Sequence, residues 1–237
     1  MIEINNLTKK FGKTTALRKV NLTLTSGTCV GLIGPNACGK TTLIKNILSM
    51  VVPTEGEIFF DGKNIHGDVF YKNNIGYMPQ IGRYPENMSV RQVIQMIKNI
   101  RNHQGTEDKE LYEAFEMEKI ADKKMRSLSG GTTQKVSATL AFLFDPPVLI
   151  LDEPTAGLDP IASEILRVKI IKEREKGKLI LITSHLLSEL DDLLTDIVFM
   201  QESVVVFNKT MEDLFAETGE NRVSRAIHKL LKTKVLP

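Results

Sequence analysis

Cys29-Val30-Gly31-Leu32-Ile33-Gly34-Pro35-Asn36-Ala37-Cys38-Gly39-Lys40-Thr41-Thr42 decides the fold. Cys29 to Ile33 is an unbroken apolar run, the length of one strand buried on both faces. Gly34–Thr41 fits the spacing G-x-x-x-x-G-K-[ST], and Thr41 to Met50 reads as a helix. Small residues between a strand and a helix let backbone N–H groups approach an anion, with the helix N-terminus aimed at it. Lys40 would supply charge to β- and γ-phosphates, and the Thr41 hydroxyl can ligate Mg²⁺. Gly34, Pro35, Asn36, Ala37, Cys38, Gly39, Lys40, Thr41 and Thr42 are therefore the expected phosphate cradle.

Two further stretches narrow the reading. Val148-Leu149-Ile150-Leu151-Asp152-Glu153 is a second buried strand, and it ends in two acids. Between it and the loop lies Leu128-Ser129-Gly130-Gly131-Thr132-Thr133-Gln134, a Ser-Gly-Gly segment heading a helix. Loop and acidic strand are common among nucleotide enzymes. With the Ser-Gly-Gly segment between them, the chain resembles the ATP-binding subunits of ABC transporters over nearly all of its length.

The resemblance implies roles. Asp152 would hold Mg²⁺ with Thr41 and Gln80, and Glu153 would polarise the attacking water. His185 would contact the γ-phosphate, and Gln80 would sense both Mg²⁺ and the water. Phe11 stands where an aromatic ring stacks on adenine. Ser129, Gly130 and Gly131, with Gln134 at the end of the run, would close over the ATP of a second copy, and Asp159 would lie at that interface. Two residues depart from the family pattern. Ala37 replaces a usual Gly and is expected to be tolerated as an extra methyl; a positive φ there would cost about 1 kcal/mol. Cys38 stands where Ala or Ser is usual, and reads as a small residue that fits; an activated, oxidisable thiol is the sharper alternative.

The 237 residues are enough for one large domain with a subdomain, here 1–237 as a single ATP-binding unit. A net charge of +2 lacks the basic excess of a nucleic-acid binder, so no nucleic acid is expected. Two cysteines without a CxxC pair fit a reducing compartment. No secretory leader is visible, and no run approaches the roughly 20 apolar residues that span a bilayer. Transport would need transmembrane permease subunits on a separate chain, placing this one at the cytoplasmic face of the membrane.

Ile2-Glu3-Ile4 and Val20–Leu24 alternate as half-exposed antiparallel strands, and Glu57–Phe60 is a strand turned by Asp61-Gly62. A short strand from Asn74 to Tyr77 precedes Gln80. Ile81–Leu128 then reads as an inserted helical subdomain. Ser89 caps a helix whose apolar face includes Val93, Ile94, Ile97 and Ile100, with further helices from Asp108 to Phe115 and from Gly131 to Phe144. Val148–Leu151, Leu179–Thr183 and Ile197–Met200 are strands, with a helix from Pro160 to Lys176 closed by Gly177. The tail, 209–237, carries two short helices broken near Gly219. Alternating strands and helices imply an α/β P-loop nucleotide hydrolase: a mostly parallel sheet covered by helices, an N-terminal antiparallel β subdomain and the helical insertion.

A soluble ABC ATPase acting on ribosomes or DNA is the alternative. The chain has one cassette rather than two, and loop and Ser-Gly-Gly segment lie too close for a long coiled-coil arm. The base-reading motif N-K-x-D of G proteins is absent, since Asn208-Lys209-Thr210 is followed by Met211. Lys123–Leu128 and Pro154–Pro160 resemble the branch whose partners are mostly export-type permeases. Gly76–Ile81, Arg83–Asn87, Lys135–Ala138 and Ala141–Phe144 resemble the ATPase of the copper-processing transporter associated with nitrous-oxide reductase maturation, which would leave copper or a sulfur species to the partner proteins. The nine methionines are scattered and read as core filler, not copper ligands. Lys229, Lys232 and Lys234 read as a solvated helix face.

Overall fold

A computed structural model describes residues 1–184 and 191–235, with the side chains of 233–235 outside that description. Strands β1 (Ile2–Phe11) and β2 (Thr14–Leu24) pair antiparallel. Together with β4 (Glu55–Phe60) and β5 (Lys63–Asn64) they form a four-stranded sheet ordered β2-β1-β4-β5. A second sheet has six strands. It contains β3 (Cys29–Ile33), β6 (Ile75–Met78), β7 (Val148–Asp152), β8 (Leu179–Thr183), β9 (Asp196–Gln201) and β10 (Val204–Thr210), in the order β10-β9-β3-β8-β7-β6. All its pairings are parallel except β9 with β10.

Every residue of β3, β7 and β8 is buried, which is why these strands are apolar up to the Asp152 and Thr183 that end β7 and β8. Alternate residues serve opposite faces. Val30, Leu32, Val148 and Ile150 pack towards the antiparallel sheet and helix α1 (Lys40–Ile47), with Ile2, Ile4, Leu17, Leu43 and Ile44. Cys29, Ile33, Leu149 and Leu151 pack the other way. There they meet α4 (Gly130–Phe142) and α5 (Pro160–Glu175), and the same core takes in residues of α2 (Val90–Arg101), α3 (Glu110–Ala114), α6 (Met211–Thr218) and α7 (Val223–Val235).

The helix ends follow the cap chemistry. The Ser89 hydroxyl accepts from the Gln92 N–H while Gln92 accepts from the Ser89 N–H, a reciprocal capping box for α2. Thr210 caps α6, and Gly219 ends it in the left-handed region at φ 67°. One expectation fails on α2. Val93 and Ile94 are buried and Ile97 packs partly, but Ile100 is 72% exposed. The last turn is docked instead by Arg101, which donates to the carbonyls of Asn73 (3.1 Å) and Ile75 (2.8 Å) and lies 4.7 Å from the Phe144 ring.

Strand β10 was not expected from the sequence. It returns through Glu202 and Ser203, both at positive φ (48° and 68°), the conformation of a tight hairpin turn normally given to Asn or Gly. Contacts outside the hairpin hold this turn: Ser203 Oγ donates to the Thr15 carbonyl at 2.8 Å, and the Arg18 N–H donates to the Ser203 carbonyl at 2.8 Å.

A buried ionic cluster joins α5 to the segment around α3. Lys169, 2% exposed along its side chain, pairs with Asp108 (2.5 Å), Glu110 (2.8 Å) and Glu173 (2.9 Å). Glu173, fully buried, also meets Lys176 at 2.7 Å and Lys178. Burial alone would push the Glu173 carboxyl up, but Lys176, Lys178 and Lys169 outweigh it and hold it down at about 2. Its stabilising contribution is therefore complete above its ordinary value of 4.5 and is lost as pH falls towards about 2. Lys169→Met removes the central cation shared by Asp108, Glu110 and Glu173, leaving Glu173 to Lys176 and Lys178 and Glu110 to Lys172. We expect it to cost about 3–5 kcal/mol in urea unfolding and to move the onset of acid destabilisation up towards the ordinary carboxylate range.

Candidate active site

Because β3, β6, β7 and β8 run parallel, their C-terminal ends share one edge of the sheet, where such folds bind ligands. The register is explicit: Asp152 is level with Thr183, Thr183 with Leu32, and Met78 with Leu151. The loop after β3, the acids ending β7 and the residues following β6 and β8 therefore converge.

The loop is shaped by what cannot fit. A Cβ on Gly34 would lie 2.1 Å from the Met200 carbonyl oxygen, and one on Gly39 would lie 2.5 Å from that of Ala16. Gly39 has φ 112° and precedes α1 directly. Lys40 Nζ donates to the carbonyls of Gly34 (2.7 Å) and Pro35 (3.0 Å), folding across the loop mouth. Pro35, Asn36 and Thr41 are exposed, and Thr42 is half-buried.

Ala37 corrects an expectation. It has φ 61°, so the loop does not simply absorb a methyl but holds alanine in the left-handed region, at about 1 kcal/mol. Relief of that strain by Ala37→Gly is offset by about 0.4–1 kcal/mol of unfolded-chain entropy, so Tm should stay within about 2 °C of the parent. A β-branched residue is a genuine outlier at such φ, so Ala37→Val should lower Tm by more. Thermal unfolding of both variants checks this. Cys38 is 3% exposed and joins the core beneath the loop, with its Sγ 3.9 Å from Lys40 Nζ. That burial fits the small-residue reading, since an oxidisable thiol needs access.

The two acids are held differently. Asp152 is buried, and its Oδ1 accepts from the Thr183 hydroxyl at 2.6 Å. Burial raises its carboxyl above the ordinary value, the Thr183 hydrogen bond opposes this, and the Glu153 charge adds to it. Burial, with the Asp152 charge adding to it, lifts the Tyr77 phenol to about 12. Glu153 turns out of the strand at φ 50°, with its N–H donating to Thr183 Oγ1 (3.0 Å) and O (3.2 Å). This strained turn swings its carboxylate beyond the sheet edge, where Gln80 Nε2 donates to Oε2 at 2.9 Å. Asp152, the Thr41 hydroxyl and the Gln80 amide oxygen are all hard oxygen donors, the type that suits Mg²⁺. His185 lies outside the described residues.

Phe11 ends β1, is 51% exposed and has Lys9 Nζ 4.9 Å from its ring, so it offers a flat apolar surface. Ser129 caps α4 by accepting from the Thr132 N–H at 3.2 Å, and Ser129 and Gly130 are exposed. Gly131 abuts the turn that follows Glu153: a Cβ there would lie 2.6 Å from the Gly157 carbonyl oxygen.

Gln134 departs from its expected place. It is 4% exposed, and its amide nitrogen is buried with no acceptor among the described residues. It lies on the core face of α4 with Ser137, Ala138 and Ala141, one turn from the exposed start, and so does not join the anion-facing set. Asp159 caps α5 through the Ala162 N–H (2.9 Å) and pairs with Lys135 at 2.7 Å, the contact that chiefly holds its carboxyl below its ordinary value. Thr183 and Lys135 were not anticipated. Thr183 had a signal, being the one polar residue of the run Leu-Ile-Leu-Ile-Thr.

A family model described as ABC transporter matches residues 17–156. The ABC transporter ATP-binding protein YhaQ of Bacillus subtilis (strain 168) is 32% identical over 229 residues, 94% of this chain and 76% of that protein. The Nod factor export ATP-binding protein I of Sinorhizobium fredii (strain NBRC 101917 / NGR234) is 32% identical over 200 residues, 81% of this chain and 57% of that protein's length. Among solved structures, an ATP binding subunit of an ABC transporter superposes with TM-score 0.89 at 25% identity, covering 98% of each chain. The dimeric structure of MJ0796, a bacterial ABC transporter cassette, gives 0.78 at 25% identity, covering 89% of this chain and 99% of that one.

Proposed function

This chain belongs to the ABC transporter family as an ATP-binding subunit and is an ATP hydrolase, and on that premise we propose that two copies close head to tail on two ATP molecules to drive a permease on separate chains. The observation that carries the reading is the convergence of the loop 34–41, Asp152, Glu153 and Gln80 on one sheet edge, while Ser129 and Gly130 lie exposed at the start of a different helix. A helix start that presents free N–H groups suits the phosphates of a second copy's nucleotide. A relative described as a dimer adds support.

In this account Lys40 leaves the carbonyls of Gly34 and Pro35 and donates to the β- and γ-phosphates. Mg²⁺, when bound by Thr41, Asp152 and Gln80, supplies charge neutralisation on those phosphates. Glu153 accepts a hydrogen bond from the attacking water and takes its proton, and His185 completes the γ-phosphate contacts. Phe11 stacks on adenine. Gln80 releases Glu153 as the site closes. ATP thus favours the closed state through contacts that only that state makes, and hydrolysis removes them.

Among the described residues no helix is long and apolar enough to cross a membrane, and our reading assigns the permease to separate chains. Val52, Val69 and Phe70 are each more than half exposed, and Val51, Val52, Pro53, Ile65 and Val69 line one open groove of about 570 Å³. With Gln80 and the insertion 81–128, this face is our candidate for the permease contact. The export-named relative supports outward transport. The resemblance of Gly76–Ile81, Arg83–Asn87, Lys135–Ala138 and Ala141–Phe144 supports a finer reading in which the partners handle copper or a sulfur species. Affinity purification of the Glu153→Gln chain in detergent with Mg²⁺-ATP tests the partner. A multi-helix permease is the expected companion; ribosomal or DNA-repair proteins without a membrane protein would overturn the reading.

A further inference from the structure

We infer that Lys135 is a positioning residue for hydrolysis: its ion pair with Asp159 fixes the segment that carries Glu153 to the helix that begins at Ser129. The inference rests on the two-copy reading above. Gly131 and Lys135 are four residues apart on α4 and so share a face. Both touch the same segment. The 2.6 Å from a Gly131 Cβ to the Gly157 carbonyl means that the backbones are already in contact there. Two residues on, Lys135 Nζ meets Asp159 Oδ2 at 2.7 Å, and it lies 5.9 Å from the Phe115 ring at the end of α3.

The segment between Glu153 and Asp159 is itself stiff. The Ala156 N–H donates to the Glu153 carbonyl and the Leu158 N–H to the Thr155 carbonyl, both at 3.1 Å. Glu153 is pinned to Thr183 at one end, and Asp159 caps α5 at the other. The link from the exposed start of α4 to the Glu153 carboxylate is thus one short, hydrogen-bonded run of chain, and Lys135 holds its far end. Nucleotide from a second copy seated at Ser129 and Gly130 is then felt at the Glu153 of this chain. A pair this exposed, with side chains 26% and 51% accessible, adds little to stability, so its consequence is the position of the segment.

The test compares Lys135→Met, Lys135→Gln and Lys135→Arg in steady-state ATP hydrolysis. The two neutral variants should lose about tenfold in kcat with KM for ATP and Tm unchanged, because a contact that acts only on the reacting arrangement is removed. Lys135→Arg, which keeps the charge, should recover most of the rate. Parent kcat in both neutral variants, or an arginine variant no faster than they are, overturns the inference. The Glu153→Gln chain is run alongside for ATP-dependent dimerisation. A dimer there with parent kcat at Lys135→Met sinks the Lys135 role alone; a monomer there sinks both the role and the two-copy reading.

Discussion

Replacing Glu153 by Gln should reduce kcat for ATP hydrolysis by about 10²–10⁴ while leaving ATP affinity near the parent value. The two carboxylates at the end of β7 occupy different environments. Asp152 is buried against Thr183, while Glu153 is turned outward at φ 50° with its carboxylate within 2.9 Å of the Gln80 amide nitrogen. Glutamine is isosteric, and its carbonyl oxygen can still accept from Gln80, so the turn and its contacts survive. What is lost is the carboxylate charge, and with it the capacity to take a proton from water. Phosphate release paired with a nucleotide-binding titration separates the two effects. Parent turnover would remove Glu153 from its assigned role.

The second large effect is on binding. Lys40→Met should weaken ATP binding by roughly 10–10², the loss of charge-assisted hydrogen bonds of about 1.5–3 kcal/mol. The fold should hold, because Lys40 Nζ donates to carbonyls of its own loop, Gly34 and Pro35, with Cys38 Sγ 3.9 Å away, and the methionine stem occupies the same space. Fluorescent-nucleotide titration gives the dissociation constant. An unchanged value would mean that the loop's backbone N–H groups alone hold the triphosphate.

What was legible in the sequence and what was not divides along a physical line. Strands β3, β7 and β8 were legible because burial on both faces demands apolar runs, and their parallel register then brings Asp152 level with Thr183. The α2 start was legible because Ser89 and Gln92 satisfy each other locally. Features set by distant partners were not. The turn at Glu202 and Ser203 lacks the usual residues, and its ties to Thr15 and Arg18 lie far away in sequence. Ile100 follows the apolar period of α2, yet the docking of Arg101 leaves it in solvent. Gln134 belongs to a motif by position but faces the core by helical phase. The positive φ of Ala37 was left open because composition carries no backbone angle. The Lys169 cluster joins residues about sixty positions apart, each of them unremarkable in sequence as a surface charge.

The measurement that reaches the central claim most directly is sedimentation velocity of the purified Glu153→Gln chain with Mg²⁺-ATP and, separately, with Mg²⁺-ADP. Two copies closing on two nucleotides predict a dimer with ATP that reverts to monomer with ADP and that Ser129→Arg, placing bulk at the exposed start of α4, abolishes. A chain that binds ATP yet stays monomeric would contradict the account, as would a dimer indifferent to both nucleotide and Ser129.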